Sequence, residues 1–195
     1  MNFLAHLFLA DDSPDSLIGN ILADFVDNDF QSKYDKEICK GILLHRKIDK
    51  FTDSHEVFLR SQHRLNGDFH LLKGIIIDIF YDHFLAKNWK HYSDLPLEAF
   101  CQKVYGILRK YVSIIPLRMQ LMLPKMIEDN WLLSYREIEG IDKALKGLSQ
   151  RLSRKNNLGK SVSELIKQYE AFNKDFQEFF PQLIQFAEET KARLV

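Results

Sequence analysis

The chain has 195 residues, in which 27 lysines and arginines balance 27 aspartates and glutamates, and hydrophobic residues make up 46% of the total. This length is typical of one compact domain, and the apolar content excludes an intrinsically disordered chain. A formal net charge of zero argues against a nucleic-acid-binding protein, because such domains usually carry a strong excess of basic residues.

The N-terminal sequence MNFLAHLFLADD is apolar, but it does not have the pattern of a secretory signal. It lacks a basic residue, and His6 interrupts its apolar run. The two cysteines, Cys39 and Cys101, are too few for a disulfide framework and predict reduced, buried thiols. No stretch reaches the roughly 18 apolar residues that a membrane span requires. We therefore expect a cytoplasmic protein that has no membrane partner.

Helical spacing of apolar residues dominates the chain, and no segment alternates as a β-strand would. Ser13 and Pro14 predict the cap and the first residue of an early helix, and Thr52 or Asp53 predicts the cap of a later one. The predicted helices in chain order cover about 14–26, 35–51, 53–65, 69–89, 96–116, 121–131, 134 to the loop at 155–159, and 162–179.

Two further signals concern the C-terminal third. Ser134 and Glu137 have the spacing of a capping box, which predicts the start of a helix. Pro181 predicts a break or kink in the last helix, because proline removes a backbone hydrogen bond. No linker or repeat divides the chain. The sequence therefore predicts an all-α, single-domain helical bundle over residues 1–195.

Polar side chains recur at one-turn spacing inside the apolar helices. Asp78 and Asp82 are four residues apart, so they share one helix face, and His83 follows directly. A carboxylate in this apolar segment must be hydrogen-bonded, paired or bound to a cation, because burying it alone is costly.

The same interval occurs in two earlier helices, at Asn20 and Asp24 and at His45 and Asp49. Taken singly, each residue has a simpler explanation: Asp49 would suit a surface salt bridge, and His6 a hydrogen-bonded core histidine. Taken together, helices that present histidine and aspartate at one-turn spacing are typical of metal sites in helical bundles.

A set of imidazole and carboxylate groups without thiolate suits Mn²⁺, Fe²⁺, Zn²⁺ or Mg²⁺. Such a cation can lower the pKa of water and polarise a phosphoryl oxygen. The sequence has no glycine-rich phosphate loop and no nucleophile-elbow motif. A metal-dependent hydrolase of phosphate esters is therefore the natural enzyme hypothesis.

Four separated motifs occur in order along the chain: MNFLAHLFLA at 1–10, GNILADF at 19–25, HRKID at 45–49 with TD at 52–53, and DIFYDHFLAKNW at 78–89. They resemble the acyl carrier protein phosphodiesterase family, also called acyl carrier protein hydrolase, a divergent branch of the HD-domain phosphohydrolases. WLLSYREIEGIDKAL at 131–145 and QRLSR at 150–154 extend the resemblance to nearly the whole chain.

This resemblance implies an all-α, HD-domain-like fold and a dependence on a divalent metal, with Mn²⁺ the expected ion. It also implies hydrolysis of the phosphodiester that joins 4′-phosphopantetheine to a serine of holo-acyl carrier protein. The adjacent pair Asp82-His83 has the reverse of the His-Asp order that is the signature of HD proteins.

The spacings assign roles to eight residues. The expected metal ligands are Asp24, His45, Asp82 and His83, with His6 as an additional candidate. The expected catalytic residues are Arg46, Asp49 and Asp78. Arg46 would neutralise charge on the phosphoryl oxygens, and the two carboxylates would orient the ligands or bind a second ion.

The charges are unevenly distributed along the chain. Residues 1–32 contain six aspartates and no lysine or arginine, whereas residues 140–160 contain six basic residues and one acidic residue. A solvated helix end would explain the basic segment. The resemblance favours instead a docking surface for acyl carrier protein, which is acidic, and the expected contacts are Arg151, Arg154 and Lys155.

Two other functions fit the same residues. One is an HD-like phosphohydrolase that acts on a nucleotide or another small phosphoester. The other is a non-catalytic helical protein that binds a metal.

Overall fold

A computed structural model describes residues 1–194, and within that range the chain forms eleven α-helices and several 3₁₀ turns, with no β-strand. The all-α prediction is thus confirmed. The helices are α1 (Phe3–Leu9), α2 (Pro14–Leu22), α3 (Lys36–Ser54), α4 (Glu56–Arg64), α5 (Lys73–Lys87), α6 (Leu97–Lys110), α7 (Leu117–Glu128), α8 (Trp131–Ser134), α9 (Ile138–Arg151), α10 (Val162–Lys167) and α11 (Tyr169–Arg193). None of these helices is long and apolar enough to cross a membrane.

Helix α2 begins as its sequence predicts. The Ser13 hydroxyl oxygen accepts a hydrogen bond from the backbone N–H of Ser16, and Pro14 occupies the first helical position. The α-helix ends at Leu22, earlier than expected, and a 3₁₀ turn at Ala23–Phe25 continues it. This tighter turn carries Asp24.

The predicted cap of α4 is wrong. Helix α3 continues to Ser54, so Thr52 and Asp53 lie inside its last turn. The ring of His55 takes the capping role instead, because its Nδ1 accepts a hydrogen bond from the N–H of Val57.

Two further local predictions are also wrong. Ser134 donates its hydroxyl to the carbonyl of Trp131 and does not cap α9, which begins after Glu137. Pro181 does not break α11. The phenylalanines before it, at 179 and 180, are fully buried, and this packing outweighs the hydrogen bond that proline removes.

Helix α11 supplies much of the core. Phe172, Phe176 and Phe179 are fully buried at helical spacing, and Phe176 contacts the rings of Tyr81 and Phe84 on α5 at centroid distances of 5.5 and 5.9 Å. Each buried aromatic side chain contributes about 2 to 3 kcal/mol relative to exposure. Helices α3, α4 and α5 pack around this core.

Helices α2 and α3 approach each other more closely than side chains would allow. A Cβ atom on Gly41 would lie 2.7 Å from the carbonyl oxygen of Ser16 and 2.9 Å from the Cα atom of Gly19. Glycine at both positions lets the two backbones touch. This contact places the next turn of α3, which carries His45, against the end of α2.

We expect Gly41→Ala to lower the free energy of unfolding by about 2 kcal/mol or more, because the new methyl group would collide with backbone atoms. Gly106→Ala in α6 is the matched control, since nothing lies within 4 Å of its Cβ position. Alanine there should stabilise the protein by up to about 1 kcal/mol through helix propensity. Urea denaturation measures the free energy of unfolding of both variants. An equal change in the two variants would contradict the close contact between α2 and α3.

Candidate metal centre and cavity

Four polar side chains from three segments converge at the end of α2. His6 comes from α1, Asp24 from the 3₁₀ turn, and His45 and Asp49 from one face of α3. Nε2 of His45 lies 3.3 Å from Oδ1 of Asp24 and 3.1 Å from Oδ2 of Asp49. Nε2 of His6 lies 3.0 Å from Oδ1 of Asp49. We call these four residues the His-Asp cluster.

The two histidine rings are held in fixed orientations. They stack face to face, with centroids 3.5 Å apart and an interplanar angle of 11°. Nδ1 of His45 donates a hydrogen bond of 2.7 Å to the backbone carbonyl of Asn20. A carbonyl can only accept, so this bond fixes the proton on Nδ1 and aims Nε2 at the carboxylates. Histidine ligands of metals are commonly oriented in this way.

The charged groups of the His-Asp cluster strongly shift one another's pKa values. Burial lowers the pKa of His6 to about 3, and repulsion by His45 acts in the same direction. Burial also disfavours charge on His45, but its hydrogen bonds to Asp24 and Asp49 prevail and raise its pKa to about 9. Burial opposes ionisation of Asp49 too, yet the same hydrogen-bonded histidines hold the pKa of this carboxyl far below its usual range.

The His-Asp cluster fits a divalent cation. At neutral pH its two carboxylates are ionised, His6 is neutral, and His45 carries the only positive charge among the four. The donor set of two imidazole nitrogens and two carboxylates is one that Mn²⁺, Fe²⁺ and Zn²⁺ accept. Ligand atoms of His6, His45 and Asp49 lie within 4.8 Å of one another. A bound cation would take the place of the proton on His45.

Asp78 lies beside the His-Asp cluster without joining it. The amino group of Met1 donates a hydrogen bond to Oδ1 of Asp49 at 3.2 Å and forms an ion pair with Oδ1 of Asp78 at 3.0 Å, so it bridges the two carboxylates. Burial raises the pKa of Asp78 to about 6. This position agrees with the expected orienting role better than with direct ligation.

Asp82, an expected ligand, does not join the cluster. Its side chain is fully buried, and its two oxygens accept hydrogen bonds from the backbone N–H groups of Leu4 and Ala5, at 2.8 and 3.0 Å. It therefore caps the N-terminus of α1, which carries His6. Burial raises the pKa of Asp82 to about 7. Asp82 serves the cluster indirectly, by anchoring the helix that presents one of its histidines.

His83 is also placed elsewhere. Its Nδ1 lies 2.8 Å from the carbonyl oxygen of Tyr135, and its Nε2 lies 2.9 Å from the hydroxyl of Tyr169. Both ring nitrogens are therefore engaged outside the His-Asp cluster. The adjacent Asp82-His83 pair thus links α5 to three other parts of the fold: α1, the segment at Tyr135 and the start of α11.

Arg46 turns away from its neighbour His45. Its guanidinium donates to Asn28 Oδ1 at 3.0 Å and to the carbonyls of Val26 and Asp27. Its Cζ atom also lies 4.8 Å from the centroid of Phe30. Arg46 thus fastens the loop that follows Asp24, and it is not among the residues that line the cavity beside the cluster.

A cavity of about 1220 Å³ opens beside the His-Asp cluster. Asp24, Asp49 and Asp78 belong to its lining beside the cluster, and α7 and α9 contribute five basic residues, accompanied by Asp129, Glu137 and Glu139. Apolar and aromatic side chains complete the lining; they include Phe3, Phe25, Ile75, Met122, Trp131 and Leu148.

The predicted docking residues divide between two environments. Arg151 lines the cavity, with its Cζ atom 5.7 Å from the centroid of Trp131. Arg154 and Lys155 are exposed just beyond the end of α9. Sequence reasoning missed Arg118 of α7, which also lines the cavity. No spacing signal marks it, because its relation to the cluster arises only from tertiary packing.

The cap formed by Asp82 can be tested in protein that has been stripped of metal. We expect Asp82→Ala to lower its free energy of unfolding by about 2 to 4 kcal/mol, because two buried N–H groups lose their acceptor. A residue that acted only as a metal ligand would leave the stability of the stripped protein unchanged. Asp53→Ala, an exposed aspartate at the end of α3, is the control and should have little effect. Urea denaturation in the presence of EDTA measures the free energy of unfolding of both variants.

Comparison with known proteins identifies the family. A family model described as acyl carrier protein phosphodiesterase matches residues 1–183, a range that includes the whole His-Asp cluster. Proteins named acyl carrier protein phosphodiesterase from Photorhabdus laumondii and Klebsiella pneumoniae are 32% and 34% identical to the chain; each alignment covers 96% of it, and 96% and 98% of these relatives. A relative of the same name from Yersinia enterocolitica is 32% identical over 97% of the chain. No solved structure matches. The chain therefore belongs to the acyl carrier protein phosphodiesterase family, whose members are hydrolases.

Proposed function

We propose that the protein hydrolyses the phosphodiester between 4′-phosphopantetheine and a serine of holo-acyl carrier protein, which yields apo-carrier protein and free 4′-phosphopantetheine. The observation that carries this proposal is the His-Asp cluster at the wall of a cavity of about 1220 Å³. Relatives of similar length that are named acyl carrier protein phosphodiesterase support the choice of substrate.

We propose that His6, Asp24, His45 and Asp49 bind one divalent cation, with Mn²⁺ favoured by the family resemblance over Fe²⁺, Zn²⁺ or Mg²⁺. When bound, such a cation would polarise a phosphoryl oxygen and lower the pKa of water. This ligand set replaces the expectation that Asp82 and His83 bind the metal, because both of those side chains are engaged in other contacts.

The protein's own residues would orient the reacting groups. Asn20 fixes the ring of His45, Asp82 fixes the helix that carries His6, and Arg46 fixes the loop after Asp24. The apolar part of the cavity lining suits the pantetheine arm, which is partly apolar and uncharged. Enclosing that arm would bring its phosphate to the His-Asp cluster.

We further propose that the fold is a divergent HD-domain arrangement, that residues 1–195 form one domain, and that the protein acts in the cytoplasm. One helix that supplies both His45 and Asp49 supports the first point. Two buried free cysteines, Cys39 and Cys101, support a reducing compartment. The zero net charge argues against nucleic acid as a partner.

The central test incubates the protein with holo-acyl carrier protein and Mn²⁺, and measures loss of the phosphopantetheine group by mass spectrometry. We expect conversion to apo-carrier protein that EDTA abolishes. His45→Gln should lower the rate by at least about 100-fold, whereas His91→Gln, on an exposed histidine outside the cavity, should not.

Two results would contradict this proposal. Turnover of a nucleotide or another small phosphoester without turnover of holo-carrier protein would point to a different substrate. Bound metal without hydrolysis of any phosphodiester would point to a non-catalytic protein.

A second prediction concerns docking of the carrier protein. Arg154 and Lys155 lie beyond α9, which lines the cavity, so they can meet an acidic partner whose prosthetic group enters it. Changing both to glutamate should raise KM by about tenfold at low salt, with kcat little changed. The effect should shrink as ionic strength rises, because salt screens exposed charges.

Arg109→Glu combined with Lys110→Glu, at the exposed end of α6 and outside the cavity, is the charge-matched control. Steady-state kinetics at several salt concentrations compare the variants. An equal rise in KM for the control, or no dependence on ionic strength, would remove this docking surface.

A further inference from the structure

The basic residues that line the cavity are of two kinds. They are Arg118, Lys125, Lys143, Lys146 and Arg151. Lys125 is paired with Asp129 at 2.9 Å, and Lys146 with Asp142 at 2.6 Å. In the part of the chain that the structure describes, the other three have no carboxylate within 4.0 Å.

The two arginines of this set lie on apolar platforms that face the cavity. The Cζ atom of Arg118 is 6.0 Å from the ring centroid of Phe25, the residue that follows Asp24. Arg151 lies over Trp131, and its Nη1 atom is 3.6 Å from the sulfur of Met122. These contacts hold the planar groups in place, and among residues 1–194 most of their N–H donors have no acceptor.

The two guanidinium groups also repel each other. Partial burial lowers the pKa of Arg151, and the positive charge of Arg118 lowers it further. The arginines of α4 behave differently, since Arg60 and Arg64 both pair with the buried carboxylate of Asp175. Two neighbouring arginines that line a cavity, and that have no carboxylate partner among the described residues, suit an anionic ligand.

We propose that Arg118 and Arg151 bind the phosphoryl oxygens of the substrate's phosphodiester inside the cavity that the His-Asp cluster adjoins. This inference rests on the proposed function for the identity of the substrate. Guanidinium groups match phosphate with paired N–H donors, and they remain charged at any physiological pH. Arg118 and Arg151 thereby take the charge-neutralising role that Arg46 cannot fill, because its donors are already used by the loop after Asp24.

A binding measurement tests the anion site without any turnover. Inorganic phosphate is titrated into EDTA-treated protein by isothermal calorimetry, and each variant is first shown to have the wild-type melting temperature. We expect Arg118→Ala and Arg151→Ala each to weaken phosphate binding, and the double variant to weaken it at least tenfold. Arg109→Ala, an exposed arginine of α6 outside the cavity, should bind as the wild type does.

Kinetics then connect the anion site to the reaction. With holo-acyl carrier protein and Mn²⁺, Arg118→Ala should lower kcat by about 100-fold, the usual effect of removing one donor to a developing negative charge. Arg118→Lys should recover only part of this loss, because lysine keeps the charge but not the paired donors. Added guanidinium should partly restore the alanine variant.

The outcomes separate this inference from the proposed function. Phosphate binding that depends on both arginines, in a protein that hydrolyses no carrier protein, would support the anion site and refute the proposed function. If the wild type turns over carrier protein and the double variant keeps both its phosphate affinity and its kcat, the anion site is overturned and the proposed function stands. A rise only in KM for the carrier protein, with phosphate affinity unchanged, would overturn it as well, since the arginines would then contact the carrier's acidic surface.

Discussion

The site depends on one backbone contact, the close approach of α2 and α3 at Gly19 and Gly41. Because no side chain separates the helices there, the carbonyl of Asn20 comes within 2.7 Å of the His45 ring. That hydrogen bond sets the direction of Nε2, and the 3₁₀ turn that ends α2 brings Asp24 to it. The glycine contact thus brings together three of the four residues of the His-Asp cluster, namely Asp24, His45 and Asp49. A larger residue at Gly19 or Gly41 would disturb their alignment.

His6, the fourth residue of the His-Asp cluster, lies on a helix that is too short to be stable alone. Helix α1 has seven residues, and isolated helices of that length do not form in water. The buried carboxylate of Asp82 satisfies two of its free N–H groups and docks it against α5. His6 is therefore positioned by a residue outside the His-Asp cluster. In the same cavity, Arg118 and Arg151 have no carboxylate partner among the residues that the structure describes, which suits a ligand that is negatively charged.

Local features of this fold could be predicted from the sequence, whereas its long-range contacts could not. The Ser13-Pro14 start of α2 and the shared face of His45 and Asp49 follow from rules that operate within one or two helical turns. The role of Asp82 was not predictable in this way, because its partners lie 77 and 78 positions away. The expected role of Arg46 at the phosphoryl oxygens does not fit its position, for a geometric reason. Consecutive residues on a helix point about 100° apart, so a neighbour of His45 in sequence faces a different part of the fold.

The claim on which the account depends is that His6, Asp24, His45 and Asp49 bind one divalent cation. A crystal structure of the Mn²⁺-loaded protein, with data collected at the manganese absorption edge, tests it most directly. The account predicts a single strong anomalous peak, about 2.0 to 2.3 Å from a nitrogen of each histidine and an oxygen of each carboxylate. A peak at Asp82 or His83, or no peak between the two stacked histidines and Asp49, would contradict it.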